Sequence, residues 1–169
     1  MAKTEKVELS NFKVMKIAAW YNRDFKANER NKALPMGLRL SLERNIQALI
    51  DNAMSFERIC KEMWEDIRKE FSTDEKSEEV KVMQKDESGE EKEVMNRVVK
   101  DEYLEDYKEK SAEMSRKIEE LSKETEVYSI RVFDLDAFAD SLPDDTILSL
   151  DDLYMLTFMD ENGDDVVRD

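Results

Sequence analysis

A chain of 169 residues, 40% hydrophobic and 41% charged, with three glycines and two prolines, excludes an all-β fold built on many tight turns and suits helices with wide polar faces. The net charge of −15 argues against sequence-independent binding to nucleic acid, which needs Lys and Arg to displace counterions from phosphates. With no histidine and one cysteine, Cys60, the chain lacks the parts for a Ser-His-Asp or Cys-His nucleophile, a His- or Cys-rich metal site or an internal disulfide.

The first amphipathic stretch is LSNFKVMKIAAWYNRDF, with Ser10 or Asn11 placed to cap a helix and Leu9 to staple it. Phe12, Met15, Ala18, Ala19, Tyr21 and Phe25 supply its apolar face, and Pro35 and Gly37 close the turn that follows. From Leu42 the apolar or small residues Leu42, Ile46, Leu49, Ala53, Phe56, Cys60, Met63 and Ile67 step by four and three in alternation. That spacing predicts a helix of about 30 residues, roughly 45 Å long, as the spine of the protein. Ile50, Ile59 and Trp64 widen its apolar stripe. Cys60 falls on the seam, where it reads as a buried structural thiol.

From Asp74 to Glu93, thirteen of twenty residues are charged. Val80–Val82 and Val94–Val98 flank the turn signal around Gly89, so this stretch reads either as an exposed β-hairpin or as a loop. Leu104, Tyr107, Ser111, Met114, Ile118 and Leu121 then repeat the helical spacing, which predicts a helix packed lengthwise and nearly antiparallel on the spine. Val127 to Phe133 alternates and is rich in β-branched and aromatic residues. It predicts a strand whose partner comes from KVEL near the N-terminus, from Thr146–Leu148 or from the hairpin region.

The chain ends acidic. From Asp134 to Asp169 twelve carboxylates face one base, Arg168, a net of −11. Ser149 with Asp152 predicts a capping-box start for a short helix over LDDLYMLTFM. The apolar residues Leu148, Leu150, Leu153, Leu156, Phe158 and Met159 favour a packed element over a solvated tail. DENGDD reads as a turn, since Gly163 stands at the fourth position of the would-be loop and an EF-hand needs glycine at the sixth. In contrast, Asn11 to Arg44 carries eight bases and three acids, a net of +5. The acidic end therefore has three destinations: the molecule's own basic hairpin, a neighbouring copy, or a different partner.

In the segments LPMGLRLSLERNIQALIDNAMSFERICKEMWEDIRKEF, DESGEE and LEDYKEKSAEMSRKIEELSKETEVYSIRVFDLDAF, the order of features resembles a family of small acidic proteins of unknown function encoded by bacteriophages and prophages of Gram-positive bacteria. The second helix there closes in a pattern met here by Leu121, Thr125, Glu126 and Val127. The resemblance implies a phage setting and a cytoplasmic life in an infected or lysogenic host cell. It carries no assigned activity.

The expected fold is mainly α within the α+β class: an antiparallel helical hairpin or three-helix bundle with a long central helix, a small β element and a short C-terminal helix. The expected division is a helical domain over 1–133, with a charged insertion at about 72–98, and an acidic element over 134–169 packed on it. No run of about 18 apolar residues suggests a membrane span, and MAKTEKVELS lacks the apolar core of a secretory signal.

The expected function is a non-enzymatic interaction protein of phage assembly or regulation, without cofactor, catalytic residue or metal. It binds a protein partner, basic in character, through Asp144, Asp145, Asp151, Asp152, Tyr154 and Phe158. The alternative is an acidic inhibitor of a host defence nuclease that imitates nucleic-acid phosphates. A carboxylate–metal enzyme is a remote third reading. Self-association through exposed parts of the helical seam stays open.

Overall fold

In the computed structural model, which describes residues 3–168, the chain is α+β, with five α-helices and two small antiparallel sheets. It divides into two compact units, Met1–Glu57 with Leu121–Asp169, and Arg58–Glu120. Position 133/134, the expected boundary, lies within the first unit, and the acidic end contributes Leu135, Leu148, Leu156, Phe158 and Met159 to that unit's core.

The first unit opens with strand β1 (Lys3–Ser10), where alternation buries Val7 and Leu9. Ser10 then caps α1 (Asn11–Trp20), its hydroxyl accepting from the Lys13 amide at 3.2 Å. A single wider turn over Tyr21–Phe25 continues α1, and it buries both Tyr21 and Phe25. A 3₁₀ turn over Glu29–Ala33 leads to Pro35, after which α2 runs from Met36 to Phe71. Its 36 residues, longer than expected, correspond to roughly 54 Å of rise.

The partner of β1 is β4 (Thr125–Val132), in antiparallel register with Val7 opposite Tyr128 and Glu5 opposite Ile130. Of the three candidate partners, the N-terminal KVEL segment is the one that pairs. Tyr128, Ile130 and Val132 join Val7, Ile17, Phe25, Leu42, Leu49 and Phe158 in a core of twenty buried residues, all in this unit. Burial raises the Tyr128 hydroxyl above its usual range, although the Asn52 amide, donating to it at 2.8 Å, acts against that shift.

Both edges of this two-stranded sheet are occupied. On β4, the buried Asn45 side chain of α2 donates to the Arg131 carbonyl and accepts from the Arg131 amide, each at 2.9 Å. On β1, the Glu8 amide donates to the Asp165 carbonyl and the Val167 amide to the Lys6 carbonyl, both at 2.8 Å, so Val166 bridges to Val7. A parallel bridge also joins Phe133 to Asp160. The C-terminal segment is thus sewn to the sheet at two places, which satisfies main-chain groups an open edge would leave to water.

In the second unit, the last turns of α2 lead into a β-hairpin of β2 (Ser77–Lys85) and β3 (Glu91–Val99), followed by α3 (Asp101–Lys123). Of the two readings for this stretch, the hairpin is the one that forms. Gly89 takes a φ of 82°, open to glycine without a Cβ penalty, and the Asp86 carboxylate accepts from the Ser88 and Glu90 amides. Phe71 meets Tyr107 edge to face at 5.3 Å, and Glu70 pairs with Lys76 and Lys110. Ile67, Phe71 and Ser77 are its buried residues, and α3 buries none. Ile59 and Trp64, expected in the apolar stripe, are exposed here.

Candidate protein-docking surface

The acidic end is built from short capped elements. Asp134 caps α4 (Leu135–Ser141) by accepting from the Ala137 amide at 2.9 Å. The chain then turns at Pro143, whose carbonyl accepts from the Thr146 amide, and Leu148 anchors it in the core. Ser149 and Asp152 form the expected capping box for α5 (Leu150–Met155), with reciprocal bonds of 3.0 and 3.1 Å. A 3₁₀ turn over Leu156–Met159 buries Leu156, Phe158 and Met159. In the DENGDD turn, a Cβ at Gly163 would stand 3.1 Å from the Asp160 carbonyl oxygen, so a side chain there would crowd the turn's backbone.

This construction divides the six expected contact residues. Asp144, Asp145, Asp151 and Tyr154 are exposed, Tyr154 by 63%. Asp152 and Phe158 are each 1% exposed and cannot touch a partner, which corrects the expectation for both. Phe158 belongs to the core because the 3₁₀ turn after α5 swings it inward. Asp152 is turned inward by its partners: the Trp20 indole N–H donates to it at 3.0 Å, and Arg30 Nε stands 3.4 Å away. Trp20 in turn stacks on Phe25 at 4.5 Å between ring centres, and Arg30 lies over that ring. A buried carboxylate needs such compensation, and here the basic turn after α1 provides it.

A second internal clamp joins Lys13 to Asp165. For Asp152 and Asp165, therefore, the destination is the molecule's own basic segment. Of the others, Asp134 (the α4 cap), Asp136, Asp140, Asp144, Asp145, Asp151 and Asp164 are exposed and form no salt bridge among the described residues, while the half-buried Asp160 accepts from the Asn162 amide. Asp169 lies outside the described residues.

Uncovered apolar side chains stand among these acids. Leu150, expected to pack, is 85% exposed, and Ile147 joins it on the link between α4 and α5. Tyr154 lines a groove of about 200 Å³ with Phe12, Lys16, Ile17 and Met155. Lys16 Nζ lies 5.4 Å from the centre of the exposed Phe12 ring. Along the chain from Asp144 to Tyr154, exposed carboxylates therefore alternate with large exposed apolar groups, a pattern suited to a protein segment that offers both bases and apolar anchors.

Ile147, Leu150 and Phe12 were not among the expected site residues. The spacing of Phe12 and Leu150 reads as core, and only the direction each short element takes in space puts them outside. Cys60 is half-buried, and burial pushes its thiol up, away from the thiolate form a nucleophile or metal ligand needs. Among the described residues no helix is long and apolar enough to cross a membrane, and no three His, Cys, Asp or Glu side chains converge as a metal site. Comparison with protein-family models, with curated proteins and with solved structures returned no match.

Proposed function

We propose that this protein is a non-enzymatic interaction protein that binds a basic protein partner through the α4–α5 surface of its first unit. The observation that carries this reading is the set of unpaired carboxylates, Asp144, Asp145 and Asp151, around the exposed Ile147, Leu150 and Tyr154. The apolar groups supply the area whose burial favours binding, and the acids select for bases and speed encounter. The setting implied by the family resemblance, the cytoplasm of a phage-infected or lysogenic cell, belongs to the same proposal. So does the role of α2 as the spine of an antiparallel helical hairpin with α3, which the Glu70–Lys110 and Phe71–Tyr107 contacts support.

One observation favours the second reading, inhibition of a nuclease by imitation of phosphates. Seven exposed carboxylates that form no salt bridge among the described residues lie between Asp134 and Asp164. Capture of partners from infected-host lysate on the immobilised chain, washed at low and then high salt, separates the two. A partner that survives high salt and is lost on Leu150→Ser and Tyr154→Ala supports apolar docking. A basic nuclease released by salt and lost on Asp144→Asn, Asp145→Asn and Asp151→Asn supports imitation. Retention of the same partners by both sets of variants would sink both readings.

A further inference from the structure

The internal docking of the acidic end leaves a remainder on each side. Lys13 and Arg30 are used by Asp165 and Asp152. Lys16, Lys26, Arg39 and Arg44, from the same basic stretch, form no salt bridge among the described residues. Lys16 sits over the exposed Phe12, and Arg39 and Arg44 sit beside uncovered apolar surface on α2. On the first turns of α2, Met36, Leu40 and Arg44 follow at intervals of four and so share one stripe of the helix, with Arg39 next to it. Met36 is 76% exposed and Leu40 is also exposed. Glu43 is the one acid between Met36 and Arg44. The first unit therefore presents an apolar–basic surface at the start of α2 and an apolar–acidic one between α4 and α5. Both are free in the same chain.

We propose that these two surfaces bind each other across copies, so that the acidic face takes as its partner the start of α2 on a second copy of this chain. The proposal rests on the reading of the α4–α5 surface as a docking face and names its occupant. Charge complementarity argues for it, because each surface holds the sign that the other lacks and both carry exposed apolar groups to bury. Two chains of −15 repel each other, but −11 of that charge lies in residues 134–169, which include the face that meets the basic start of α2. At ordinary salt the screening length is about 8 Å, which damps that long-range repulsion and spares pairs in contact. Since the two surfaces differ, the contact is heterologous, and each added copy still offers one free acidic and one free basic face.

Sedimentation velocity of the full chain across a concentration series at 0.15 M salt (about physiological) tests this. Two variants changed only at exposed positions accompany it: Leu150→Ser with Asp151→Lys, and Leu40→Ser with Arg44→Glu. The unaltered chain is expected to at least double its mean mass as concentration rises, while each variant alone stays at the mass of one chain. An equal mixture of the two variants keeps one intact acidic and one intact basic face, so it forms a pair and stops there. An unaltered chain that remains single throughout overturns the proposal, as does a variant that associates unaided or a mixture that does not pair. A single chain that still captures a basic partner through Asp144, Asp145 and Asp151 would overturn this inference alone and leave the docking reading standing.

Discussion

The molecule holds two antiparallel two-stranded sheets of nearly equal length, eight and nine residues per strand, in opposite surroundings. The sheet of the first unit has a buried face, Asn45 on one edge and the Asp165–Val167 segment on the other. In the second unit, β2 and β3 are exposed or half-exposed along almost their whole length, and Met83 and Met95 stand uncovered. A two-stranded sheet is marginal by itself in water. The comparison teaches that pairing defines a sheet but coverage stabilises it. The acidic end, conspicuous for its charge, supplies much of that coverage through a handful of apolar and main-chain groups.

The largest effect should come from removing that coverage. Phe158→Ala empties a fully buried site in the first unit and is expected to cost about 3–5 kcal/mol in denaturant unfolding, whereas Tyr154→Ala, four residues away, should cost far less. Similar stabilities for the two variants would contradict the inward turn after α5. Asp152→Ala removes the partner of the Trp20 indole, one of the two carboxylates beside Arg30 and the acceptor for the Ser149 amide in the α5 capping box, an expected loss of about 3 kcal/mol. Trp20 fluorescence should change in the same variant. Asn45→Ala leaves the amide and carbonyl of Arg131 without their side-chain partner, and a loss of about 2 kcal/mol is expected, with faster amide exchange in β4.

A change of pH should act on the second unit. Hydrogen bonding from Lys110 holds the Glu70 carboxyl below the usual range, and the Ser88 hydroxyl, then Lys92, does the same for Asp86. Each carboxyl binds its proton less readily in the folded chain than in the unfolded one. Their contribution is therefore present above the ordinary carboxylate range and is lost as pH falls through the lowered folded values. Protection of the β2 and β3 amides, measured against the exchange rate of an unstructured chain at the same pH, should be lost on acidification before that of β1 and β4, and the reverse order would break the contrast between the sheets. The smallest effect belongs to the free acids: Asp144→Asn, Asp145→Asn and Asp151→Asn should each shift stability by no more than about 0.5 kcal/mol, measured by thermal unfolding.

The spine and the second long helix were legible because helical periodicity records which side of a segment is buried, whatever lies against it. Leu42, Ile46 and Leu49 were placed correctly on that ground. The caps at Ser10 and Ser149 were legible too, since a cap is a bond between residues three apart. The helix α4 was missed, although Asp134 is a sound cap, because seven residues hold too few turns to show a period. At the docking surface, Asp144, Asp145, Asp151 and Tyr154 are readable as candidates, whereas Leu150 reads as a packing group and Ile147 only as part of a possible strand over Thr146–Leu148.

What the sequence alone determined was local: periodic helices, a strand by alternation, caps, turns and the polarity of charge from a basic first quarter to an acidic end. Which partner each of those groups meets was decided only by the tertiary structure. Asp151 and Asp152 are neighbours of one chemistry, yet one faces water and the other lies against Trp20 and Arg30, more than a hundred residues away in the chain. A buried carboxylate is tolerable only where distant groups converge on it, and that convergence is a property of the packed fold.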